Sequence, residues 1–155
     1  MLTSTERYLR PGRFTQRIFN PLVRWFTRRG LSLLGSRELR VVGRTSGAVR
    51  TTVVNLLDFD GRSHVVSPRG TTEWVRNLRA ADGNGELRIG RRVTSFHANE
   101  LDDDAKVPVI RAYLRRWNWE VGQFFEGITP DASDADISAV APGFPVFAVD
   151  VEITG

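Results

Sequence analysis

Extended, β-branched runs joined by turns too short for any crossover are the strongest constraint on this chain. "RELRVVGR" ends at Gly43-Arg44-Thr45-Ser46-Gly47, and "VRTTVVNLLDFDG" returns from that turn. Asp60-Gly61 is a two-residue hairpin signal, and "SHVVS" follows it directly. Further on, "ADGNGELRIG" and "RRVTSFHANEL" repeat the arrangement, with Val93, Ser95 and His97 alternating against Thr94, Phe96 and Ala98. Parallel neighbours need a crossover of a dozen or more residues, so these strands pair antiparallel. The late run "PGFPVFAVDVEI" brings the count to about six strands. The expected fold class is α+β, mainly β: a small antiparallel barrel or curled sheet with helices attached. Pro145, near the start of the last run, points to an edge position.

Three stretches read as helical. In "RFTQRIFNPLVRWFTRRG", Phe14, Ile18, Leu22, Trp25 and Phe26 make one stripe flanked by Arg13, Arg17, Arg24 and Arg28. That stripe suits a helix packed on the sheet, or a basic amphipathic helix lying on an anionic membrane surface. After Ser67-Pro68-Arg69-Gly70, a helix of about ten residues places Trp74, Leu78 and Ala81 on one face. Asp102, Asp103 and Asp104 open a third helix running to about Trp117, their carboxylates at the positive end of its dipole. A chain of 155 residues is most simply one domain. Residues 1–36 form its N-terminal amphipathic segment and residues 37–155 its barrel.

Composition removes whole classes of chemistry. Cysteine is absent, which excludes disulfides, thiolate catalysis and cysteine-ligated metals. His64 and His97 are the only histidines, too few for a multi-histidine centre, and both sit in strand patterns. The first residues lack the apolar stretch of a secretory signal, so the expected location is the cytoplasm. Charge is uneven. Residues 1–50 carry 11 arginines against Glu6 and Glu38, residues 51–100 sum to +1, and residues 101–155 to −6. A basic half on a small barrel also describes a nucleic-acid binder. The strand "VRTTVVNLLDF" lacks interleaved aromatics, however, and the acidic last third repels phosphate, so nucleic acid is not the expected partner.

Arg44, Arg50 and Arg69 fall near strand ends, with hydroxyls at Thr45, Ser46, Thr51, Thr52 and Ser67 beside them. Gly70 lets backbone N–H groups approach a ligand, and the helix starting near Thr72 adds its positive end. These residues suit a seat for a polyanionic small molecule. The bland reading is a set of solvated arginines beside ordinary turns.

The order of these motifs carries a resemblance. A Gly-Arg-x-Ser/Thr-Gly turn, an arginine three residues on, a small-residue/basic/glycine turn and a Trp-x-x-Asn-Leu helix run through residues 37–100. This resembles the deazaflavin (F420)-dependent nitroreductase and F420H2-dependent quinone reductase family of actinobacteria, whose members are split β-barrels. The resemblance implies a reductase that passes a hydride from coenzyme F420 to an electron-poor acceptor such as an enone, a quinone or a nitro compound. An FMN-binding or non-catalytic split barrel is the alternative. It implies that Arg44 and Arg50 meet the phosphate and glutamate tail, with Thr45 beside them where some members carry lysine. Thr51, Thr52 and Val53 line the deazaflavin wall, and Ser67, Pro68, Arg69 and Gly70 wrap the ring. Trp74 packs beside the cofactor, and Asn77 bonds near the same edge or braces the loop. Trp117, Trp119 and Phe124 are expected to form the substrate wall. No catalytic side chain and no metal are implied, and a homodimer fits the split-barrel class.

Overall fold

A computed structural model describes residues 36–151 except 126, with the side chains of Ser36, Ile89, Trp119 and Glu120 outside the description. The expected N-terminal helical segment, up to residue 35, also lies outside the described residues. Among the described residues six strands form: β1 (Ser36–Val42), β2 (Val49–Phe59), β3 (Arg62–Val66), β4 (Asn84–Ile89), β5 (Arg92–Glu100) and β6 (Val146–Val151). They close into a barrel in the order β1-β2-β3-β6-β5-β4, every pairing antiparallel. Three α-helices accompany them: α1 (Glu73–Ala80), α2 (Asp103–Val121) and α3 (Asp134–Val140). Among the described residues no helix is long and apolar enough to cross a membrane.

The turns explain the pairing. Asp60 and Gly61 both take positive φ, 53° and 75°, which is the left-handed geometry a two-residue hairpin needs to match strand twist. β6 corrects the expectation of an edge strand. It lies between β3 and β5, with Val65 opposite Phe147 and Ala98 opposite Val149. Pro145 precedes the first residue of the strand, so its missing N–H removes no ladder bond, and its carbonyl accepts from Ser67 N at 2.9 Å.

Two cores result from the two faces of the sheet. Inside the barrel, Leu39, Val41, Val54, Val65, Leu87 and Phe96 pack together, joined by Val75 and Leu78 of α1. Outside it, Ile110, Tyr113, Leu114 and Trp117 of α2 cover Leu57 and Val66. Phe125 and Phe144 stack within that layer at 4.1 Å. α2 runs past Trp117, where φ −126° and ψ 20° kink it. α3 is an addition to the expected helices. At seven residues it is too short to display a periodic stripe. Its start is nevertheless written in the chain: Ser133 caps it by accepting from Asp136 N at 3.1 Å, with Asp134 and Asp136 in the first turn.

Gly83 sits at φ 83°, and a Cβ there would lie 2.2 Å from the Ala98 carbonyl oxygen. Backbone, unlike a flexible side chain, cannot move aside cheaply. Gly83→Ala should therefore destabilise the barrel by about 1–3 kcal/mol or more, read as a lower midpoint in urea.

His64 is 6% exposed on β3, and its Nδ1 lies 3.1 Å from the Arg62 carbonyl oxygen. Burial lowers its pKa below the ordinary 6.5, because the charged ring loses water. The unfolded chain then takes up the proton first. The stability contributed by neutral His64 is present above about pH 6.5 and is lost as pH falls through the depressed folded value. Thermal melts across pH 4–8 should show this slope, and His64→Leu should flatten it.

Candidate cofactor-binding site

Antiparallel order brings the end of β1, the start of β2 and the end of β3 to one end of the barrel. The β1–β2 turn and the β3–α1 loop meet there, and α1 lays Val75 and Leu78 into the barrel core beside them. The turn is closed by Gly43 N donating to the Ala48 carbonyl at 2.7 Å and Gly47 N to the Gly43 carbonyl at 2.9 Å.

Asn77 joins the turn to the helix. It is 5% exposed, and its Oδ1 accepts from Arg44 N at 3.1 Å and from Arg44 Nη1 at 2.8 Å. Arg44 Nη1 also donates to Glu73 Oε2 at 2.8 Å. That bond, together with the cation itself, holds the exposed Glu73 carboxyl below the usual carboxylate range. These bonds tie the β1–β2 turn to α1.

The β3–α1 loop is self-braced. Ser67 is fully buried; its hydroxyl donates to the Gly70 carbonyl at 2.5 Å and its N–H to the Pro145 carbonyl at 2.9 Å. Gly70 N returns to the Ser67 carbonyl at 3.3 Å, and Gly70 itself needs its φ of 87°. Both donors of Ser67 are thus engaged in shaping the loop. Pro68 and Arg69 are half-buried on it. Thr72, the N-cap of α1, makes no side-chain capping bond, and its buried Oγ1 has no hydrogen-bond partner.

Arg44, Thr45 and Arg50 are exposed at the same end. Thr51, Thr52 and Val53 do not form a single wall. Thr51 and Val53 stand opposite Arg40 and Glu38 on one face, while Arg50 and Thr52 stand opposite Val41 and Leu39 on the barrel-interior face. Trp74 is half-buried against the barrel core, its ring 5.9 Å from that of Phe147.

The expected substrate wall separates from this cradle. Trp117 is fully buried in the helical layer, 5.1 Å from the Tyr113 ring, and Phe124 packs against the same cluster. Large aromatics on a helix face gain more from burial than from facing water, and helical spacing gives no sign of which face is covered. The side chain of Trp119 lies outside the described residues. A cleft of about 700 Å3 opens between α2, α3 and the end of β2, lined by Phe59, Val107, Pro108, Arg111, Arg115 and Asp134 among others. None of the residues bonded around Arg44 lines it. Glu73 is the cradle residue that sequence reasoning missed. A carboxylate in a first helical turn is ordinary, and only the fold places it against Arg44.

The donor set suits a phosphate-bearing cofactor: exposed arginines at a barrel mouth, a positive-φ glycine loop, and a hydroxyl with unused bonding capacity at the start of a helix. Fold and site together define a small split-barrel protein with exposed arginines at one end. The model of the F420H(2)-dependent quinone reductase family matches residues 25–123, and the chain belongs to that family. It is an F420-dependent oxidoreductase. Curated proteins offer no significant match. Among solved structures, an F420-H2 dependent reductase (FDR-A) superposes with a TM-score of 0.51 at 16% identity, covering 75% of this chain and 94% of its own. HutZ, a heme storage protein from Vibrio cholerae, gives 0.53 at 12% identity, covering 86% and 90%. A domain-swapped dimer gives 0.52 at 16%, covering 75% and 80%. At such identities these three share the fold.

Removing the Asn77 amide should loosen the cradle. Asn77→Ala leaves the Arg44 N–H and guanidinium without their shared acceptor, at a cost of about 1–3 kcal/mol. Denaturant unfolding should read the loss, and amide exchange at Arg44 should accelerate.

Proposed function

We propose that this chain binds F420 across the barrel end at Arg44 and reduces a flat, electron-poor organic acceptor there, with quinones first and enones or nitro compounds as further candidates. The observation that carries the reading is the Asn77-anchored Arg44, held at the mouth of the barrel with Arg50 exposed on the neighbouring strand. When bound, the reduced cofactor supplies the hydride. The protein's part is to bind, orient and exclude water.

Arg44 and Arg50 hold the anionic tail, with Thr45 alongside. Pro68, Arg69 and Gly70 present the loop to the ring, where the positive charge of Arg69 favours negative charge on the ring. Ser67 acts through the loop it braces, as Asn77 acts through Arg44. Trp74 flanks the ring from α1. Of the β2 residues, Thr52 shares the barrel-interior face with Arg50, while Thr51 and Val53 serve a ring lying on the outer face. The acceptor wall does not use Trp117. No protein acid is required, since solvent can supply the proton that accompanies the hydride.

Fluorescence titration with oxidised F420, run in parallel with FMN at two salt concentrations, tests the reading. F420 should bind at micromolar or tighter Kd, more weakly as salt rises, and ahead of FMN. Arg44→Gln should raise the F420 Kd about tenfold or more, the loss of a charge-assisted bond. Tighter binding of FMN would overturn the tail assignment.

A further inference from the structure

We propose that Glu73 is a built-in competitor for the ligand's negative charge, occupying the Arg44 guanidinium until an anion displaces it, and so sets how many charges a ligand must bring to be bound well. The inference rests on the reading that Arg44 holds an anionic part of the cofactor.

The two acceptors on Arg44 Nη1 are unlike. Asn77 is buried, neutral and bonded twice to Arg44, through the backbone N–H and the guanidinium. Its two contacts tie the turn to α1 and aim the side chain. Glu73 is charged, its side chain is 67% exposed, and it adds one further bond at 2.8 Å to that same nitrogen. A guanidinium Nη carries two N–H groups, so Nη1 is fully committed between Asn77 and Glu73. A ligand oxygen that comes to this nitrogen meets the carboxylate already there, and one that comes to Nε or Nη2 still meets its negative charge across the same guanidinium. Displacing Asn77 would strand buried groups, whereas displacing Glu73 returns a carboxylate to water. Glu73 is therefore the replaceable partner. It resembles the ligand in charge and in geometry, since a carboxylate and a phosphate present similar oxygens to an arginine fork.

The consequence is discrimination. A ligand with one weakly held charge gains little by exchanging one carboxylate contact for another. A ligand whose tail also engages Arg50 exchanges that contact and adds more. An orienting role for Glu73 predicts the opposite sign, because losing the carboxylate would then weaken binding.

Titrating full-length wild type and Glu73→Gln with oxidised F420 decides the sign. Glutamine keeps the shape and removes the charge. The variant should bind F420 about two- to fivefold tighter, the scale of an exposed ion pair. Binding of the tail-less deazaflavin riboside should be unchanged, and the ligand-free melting temperature should fall by no more than a few degrees, the loss of the same exposed ion pair. Equal or weaker F420 binding by the variant, or an equal gain with the tail-less compound, overturns the inference. Inorganic pyrophosphate, followed by 31P line broadening, separates this from the cofactor reading. If F420 binds neither protein while pyrophosphate binds the variant more tightly than wild type, the cofactor reading fails and the competitor stands. If F420 binds wild type well and pyrophosphate binds both proteins equally, the competitor fails alone.

Discussion

The barrel depends on β6 pairing with β3 on one side and β5 on the other. This strand arrives last in the chain yet lies in the middle of the ladder, and without it the sheet has two open edges. An open edge leaves a row of backbone N–H and C=O groups unpaired, which costs free energy or invites another chain. Closure answers that, and it also decides where the loops go. Strands related by hairpins alternate in direction, so the turn after β1 and the loop after β3 are bound to emerge at the same end. The candidate site is a consequence of that parity.

At that end, rigidity comes from neutral bonds and electrostatics from exposed charges. Ser67, Gly70 and Pro145 lock the loop through backbone and hydroxyl contacts, and Asn77 locks the turn. Buried amides and hydroxyls hold their geometry without the desolvation cost of buried ions. The arginines then stand at the surface, where they remain available to a charged ligand and sensitive to salt. Glu73 belongs to the exposed set, and its contact with Arg44 is the exchangeable part of an otherwise fixed frame.

The separation of the two cores has a functional side. Trp74 and Trp117 are both large aromatics on helices, and the sequence offers no local difference between them. One caps the barrel core beside the cradle, and the other fills the helical layer outside the barrel. The difference arises because α1 plugs a barrel end while α2 lies along the outer faces of β2 and β3. Helical periodicity reports that a face is apolar and not what covers it. For the same reason neither the pairing of Glu73 with Arg44 nor the burial of Trp117 is legible in the helical pattern.

Hairpin spacing, the Asp60-Gly61 turn and strand alternation determined the antiparallel class, and the ordered glycine–arginine motifs determined the family. These are local features, read over a few residues, and turn chemistry and side-chain period act at that range. The middle position of β6, the pairing of Arg44 with Glu73 and Asn77, and the burial of Ser67 and Trp117 were decided only by the tertiary structure. Each joins residues far apart in the chain, Arg44 and Asn77 by 33 positions. Such contacts are set by barrel closure and by which faces meet, quantities that no short stretch of sequence contains.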